Sequence, residues 1–248
     1  MPYRRLPNTD AARLRALKAA LNMFGTQEPE LSAYPLALRQ KIEFFLPKFE
    51  AAIINSKMAK EQQTGNSHMF SRYTRKARLY ISHFIQVLNF CIVRGEMKPS
   101  VRSYYGLPEN SSKVPPLITE QDLLYWGEKI IAGEQDRISN GGGSPIYCPS
   151  IALVKVNYEN FKENYTRQKQ FQNNSARESG NVAQYRDNAD ALILDVWNEV
   201  EHYYEGIRDE EERRNKCREY GLVYVFRRGE MEKIRQRKEV ERITLRLF

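Results

Sequence analysis

The sequence predicts an all-α protein, a helical bundle of two pseudo-repeated antiparallel helical hairpins with a small β-hairpin-like extension at the C-terminal end. Three observations lead there. Ala77, Ile81, Phe84, Leu88 and Cys91 step by 4, 3, 4, 3, the spacing of one buried helix face. Ala189, Ile193, Val196, Val200 and Tyr203 repeat that stripe at a constant offset of 112. Beyond each stripe stands the same tripeptide, Tyr105-Gly106-Leu107 and Tyr220-Gly221-Leu222, at an offset of 115, as a three-residue insertion would produce.

The composition suits this class. With 248 residues the chain can form one sizeable core or two halves sharing a core, and its 41% hydrophobic content argues against disorder. No apolar run approaches the roughly 18 to 20 residues of a spanning helix, and residues 1–10 lack the apolar core of a secretory signal. Cys91, Cys148 and Cys217 form no CxxC pair and no disulfide framework, so reduced thiols and a cytoplasmic location are expected.

The elements follow in order. Asn8 or Thr9 caps a first helix that carries Leu14, Leu17, Leu21 and Phe24 and stops at Gly25. Residues 1–30 thus form a basic arm with a short helix, and residues 31–220 form the bundle. Its first hairpin covers about 35–107. Pro35 opens a helix with Leu38, Ile42, Phe45, Phe49 and Ala52 on one face, kinked ahead of Pro47 and ending near residue 61. A turn at 62–67, containing Gly65 and Asn66, leads back into a helix over 70–94. After a long crossover, Thr119 and Asp122 form a capping box for a helix over about 119–138. The second hairpin covers about 149–222, with its first helix opened by Pro149, a polar turn at 168–183, and a second helix over 184–207. A short charged helix occupies 209–220. In the basic extension, 221–248, strands at 223–226 and 243–248 pair around a helix at 230–238.

Three sets of residues carry candidate chemistry. Arg72, Arg75, Lys76 and Arg78 cluster beside Tyr73 and Tyr80, a pattern that can bind phosphates while aromatic rings stack on bases. The net charge of +8 is concentrated at the two ends, +4 in residues 1–20 and +4 in residues 227–248. Arg4 and Arg5 from one end, with Arg227, Arg228, Arg235, Arg237 and Lys238 from the other, therefore join the nucleic-acid candidates. At positions matching Arg75, Lys76 and Arg78 the second copy has Asp187, Asn188 and Asp190, a sign change suited to contact between copies or subunits.

Glu199 and His202 form a Glu-x-x-His pair, half of the ligand pattern of a di-metal bundle. The matching positions of the first copy are Val87 and Phe90, which cannot bind metal, so no metal or cofactor is expected. Gly141-Gly142-Gly143-Ser144-Pro145 lacks the phosphate-loop pattern and reads as a flexible turn. No nucleophile with a base beside it stands out, and catalysis is not expected.

The run 78–95, Gly133-Glu134-Gln135 and Cys217-Arg218-Glu219-Tyr220-Gly221 resemble an uncharacterised family of bacterial all-helical proteins with no established activity. The resemblance covers most of the chain and transfers no site residue. The expected function is therefore a non-enzymatic intracellular binding or scaffold protein, with a protein partner or a second copy of itself as ligand. Nucleic-acid binding through the basic helix and arms is the alternative, and a metal-dependent bundle enzyme the weaker one.

Overall fold

A computed structural model describes residues 3–25, 32–227 and 229–230. Its elements are β1 (Tyr3–Arg4), α1 (Asp10–Gly25), α2 (Leu36–Val93), a 3-10 helix (Pro99–Tyr105), α3 (Glu120–Ser139), α4 (Ile151–Tyr203), α5 (Glu210–Glu219) and β2 (Tyr224–Val225). The chain is all-α, with one two-stranded antiparallel sheet among the described residues. It divides into two compact units, Met1–Lys57 with Arg177–Phe248, and Met58–Ala176.

The expected hairpins are not hairpins. Residues 62–67 and 168–183 are helical, so α2 runs for 58 residues and α4 for 53. Gly65 and Asn66 are weak helix formers, but their penalty is about 1 kcal/mol at most per residue, and neither replaces a backbone donor as proline does. The polar groups that suggested a turn are used inside the second unit instead. Asn66 Nδ2 donates to Gln168 Oε1 at 2.8 Å, and Gln168 and Ser175 are buried. Pro47 also lies within a continuous helix. Pro47 and Glu43, whose carbonyl loses its helical donor there, both face solvent, where water can satisfy it.

In the first unit, Phe45 and Phe49 of α2 pack on Tyr185 of α4 with centroids at 5.8 and 6.3 Å. α1 closes this core with Leu17, Ala20 and Phe24, and α5 and the following corner add Cys217, Tyr220 and Leu222. Thr9 Oγ1 accepts the Ala12 N–H as the cap of α1. Strand β2 pairs with β1, Tyr3 opposite Val225 and Arg4 opposite Tyr224. The expected partner strand at 243–248 and the helix at 230–238 lie, but for Glu230, outside the described residues.

In the second unit, Phe70 of α2 stacks on Phe161 of α4 at 6.2 Å, and α3 and the 3-10 helix complete a core containing Ile81, Phe84, Leu88, Tyr105 and Ile130. Thr119 and Asp122 form the expected capping box. Buried positions of the early parts of the two long helices keep the offset of 112, Ile42 with Val154, Leu46 with Tyr158 and Phe49 with Phe161. The two tripeptide corners also match: Gly106 and Gly221 have φ of 69° and 89°, a conformation that favours glycine, and each tyrosine before them is fully buried.

Candidate nucleic-acid interface

α2 contains no carboxylate after Glu61, and the next acid in the chain is Glu96. The 34 residues between hold Arg72, Arg75, Lys76, Arg78 and Arg94. This run lies in the second unit, which carries fifteen Lys and Arg against ten Asp and Glu, a net of +5. Charge placed at the ends by position in the sequence is thus less informative than charge placed by fold.

Helical geometry sorts these residues by face. Positions 72, 76, 79, 83, 86, 90 and 93 step by 4 or 3 and, with the flanking position 75, project on one side of α2, opposite the buried Ala77, Ile81, Phe84, Ile85 and Leu88. All eight are exposed. Arg72 and Lys76 carry no carboxylate partner among the described residues, and Arg75 Nε only reaches back to the Ser71 carbonyl at 3.3 Å. With the turn at 62–67 absent, these cations lie in the interior of a helix and not at an N-terminus, so the dipole does not oppose them.

The other sequence candidates divide. Arg78 is a latch: its Nε donates to the Leu117 carbonyl at 2.7 Å and its Nη2 to that of Ile118 at 3.0 Å, tying the crossover to α2. Arg4 is likewise engaged, donating to Asn198 Oδ1 at 2.8 Å and Glu201 Oε2 at 3.0 Å. Arg5 and Arg227 are exposed in the first unit. Arg228, Arg235, Arg237 and Lys238 lie outside the described residues. Tyr73 and Tyr80, expected to stack on bases, are half-buried against the second core. The free rings and apolar groups of the basic face are instead Leu79, 61% exposed, Phe90, 59%, and Val93, 78%. Their absence from the apolar stripe was the available signal.

Glu199 and His202 are exposed in the first unit, where His202 Nδ1 lies 3.4 Å from Glu205 Oε2. No group of three or more His, Cys, Asp or Glu among the described residues is placed to hold a metal ion. A cleft of about 380 Å³ includes Glu201, His202, Arg213, Cys217 and Tyr224 in its lining. Its groups are committed to one another. Tyr224 Oη donates to Glu201 Oε1 at 2.7 Å, and burial pushes the Cys217 thiol up, away from the thiolate a nucleophile needs.

One buried ionic cluster was not foreseen. In the second unit, Arg137 donates to both oxygens of Glu134, 2.9 Å from Nε to Oε2 and 2.8 Å from Nη2 to Oε1, and both side chains are fully buried. Tyr105 Oη donates to Glu134 Oε2, and the Ile146 N–H donates to Oε1 at 3.1 Å. Burial would raise the Glu134 carboxyl, but Arg137, Tyr105 and the Ile146 amide together hold it below the usual range. Arg137 also donates to the carbonyls of Gly142 and Ser144, so the glycine loop is clamped through its carbonyls, while the Gly141 and Gly142 amides donate to the Ile138 and Arg137 carbonyls. The signal was legible: Leu123, Gly127, Ile130, Glu134 and Arg137 step by 4, 3, 4, 3, which continues a buried stripe into two charges.

No helix among the described residues is long and apolar enough to cross a membrane. The sequence matches no protein-family model and no curated protein, and the fold matches no solved structure.

Proposed function

We propose that this chain is a non-enzymatic intracellular binding protein whose ligand is a polyanion, a nucleic acid, held on the exposed face of α2 in the second unit. The observation that carries the reading is the acid-free run of 34 residues with Arg72, Arg75 and Lys76 exposed on one face and free of carboxylates. A solvated helix face ordinarily mixes signs, because pairs three or four apart relieve repulsion, as Arg39 with Glu43 and Arg167 with Glu163 do elsewhere in this chain. Cations left unpaired concentrate positive potential and gain most from phosphates, whose condensed counterions they release.

The test is a titration of labelled DNA and RNA with the full chain at about 50 and 200 mM salt. Three phosphate contacts should weaken binding on the order of 20- to 40-fold over that range. Reversing charge with Arg72→Glu, Arg75→Glu and Lys76→Glu should abolish binding, while Arg5→Glu and Arg227→Glu should leave most of it. Binding that survives the first set and is lost with the second would place the interface on the arms and refute the reading.

A further inference from the structure

We infer that the face of α2 takes a single strand and not a duplex, an inference that rests on the reading above. Two different surfaces follow one another along the same side of the helix. Arg72, Arg75 and Lys76 form its charged part, and Leu79, His83, Gln86, Phe90 and Val93 form a part without lysine, arginine or carboxylate. From Arg72 to Phe90 is 18 residues, about 27 Å along the axis at the helical rise.

A duplex presents phosphates outward and keeps its bases stacked, so a phosphate-reading face has no use for an exposed phenyl ring or for Leu79 and Val93. A single strand presents both phosphates and unstacked bases. It is bound by cations that track the backbone together with aromatic side chains on which bases stack. Phe90 is available for that role. It is more than half exposed, it forms no ring contact within the chain among the described residues, and it lies on the side of α2 opposite Leu88 and Ile85. Of the positions on α4 that match this face at the offset of 112, none is a lysine or arginine, and Asp187 and Asp195 are acidic and would repel phosphate, so the second unit alone carries the surface.

The experiment compares a labelled 12-nucleotide oligo(dT) strand with a 12-base-pair duplex by fluorescence anisotropy. It uses the full chain, Phe90→Ala, and the combined Arg72→Ala, Arg75→Ala and Lys76→Ala variant, each checked for helical content. The strand should bind about tenfold tighter than the duplex, and its affinity should fall about 20-fold between 50 and 200 mM salt. Phe90→Ala should weaken strand binding about fivefold or more while leaving the salt slope unchanged. The triple variant should flatten the slope. Duplex binding as tight as strand binding, or an unchanged affinity for Phe90→Ala, would overturn the single-strand inference and leave the polyanion reading standing. Failure of both probes to bind at 50 mM would overturn that reading itself. Sedimentation gives a further way to lose: an oligomer that Phe90→Ala dissociates would mean that a second copy covers this face.

Discussion

The two units close matching corners with different chemistry. In the first, Tyr220 packs edge-on against Tyr34 at 6.3 Å, Tyr34 lies 5.3 Å from Phe24, and the Tyr34 hydroxyl donates to the Ala20 carbonyl. In the second, Tyr105 takes the place of Tyr220, and its hydroxyl meets Glu134 and Arg137. The aromatic corner depends on area and ring geometry, which tolerate small changes. The ionic corner depends on mutual satisfaction: each buried charge is tolerable only because the others are present, and the same arginine fastens the 141–146 loop.

The largest effect should come from breaking the ionic corner at one point. Arg137→Met strands a buried carboxylate and should cost about 3–5 kcal/mol in denaturant unfolding. Replacing both members, Glu134→Leu with Arg137→Met, should recover most of that loss, because no charge is then left unpaired. If the double variant is as unstable as the single one, clamping the glycine loop is the dominant role of Arg137.

The hydroxyl groups give a smaller and sharper contrast. Tyr105→Phe removes a donor to a buried carboxylate and should cost about 2 kcal/mol, whereas Tyr220→Phe, whose hydroxyl lies 3.5 Å from that of Tyr204, should cost about 0.5–1 kcal/mol. Equal losses would erase the distinction between the corners.

A second buried arginine supplies a control within the same unit. Arg102 is 2% exposed and donates to the Pro108 carbonyl and to Asn89 Oδ1, but it has no carboxylate partner among the described residues, and burial lowers its pKa. Its Nη2 has no hydrogen-bond partner among the described residues. Arg102→Met strands no opposite charge, so its cost should be about 1 kcal/mol, well below that of Arg137→Met.

Acid should distinguish the variants by sign. The Arg186 guanidinium, assisted by Arg13, holds the Asp10 carboxyl below its ordinary value, and Glu134 is also held low. A carboxyl depressed on folding contributes stability above its unfolded pKa, about 4, and loses it as pH falls through the folded value. The parent should therefore weaken below about pH 4. In Arg137→Met the unpaired Glu134 is raised by burial, so its contribution should be present at low pH and lost as pH rises. Unfolding midpoints between pH 3 and 7 check both slopes.

Much of this architecture was readable before the fold. The apolar stripes, the caps at Thr9 and Thr119, the charged helix at α5 and the two Tyr-Gly-Leu corners depend on periodicity and on interactions within a few residues. So did the cluster at residues 72–76, because runs without acid are visible in a string of letters. Phe90 stands off the apolar stripe, and its exposure follows from its place on the helix face.

Local spacing was enough to locate most of the helical segments and the apolar face of each. It took the folded chain to show that residues 62–67 and 168–183 continue their helices, that β2 pairs with β1, and that Arg4 and Arg78 are bound within the chain while Arg72 and Lys76 have no carboxylate partner among the described residues. The difference between the two is one of range. A glycine or asparagine costs a helix about 1 kcal/mol or less, an arginine gains a comparable amount from one good partner, and terms that small are settled by whichever distant residues folding brings alongside.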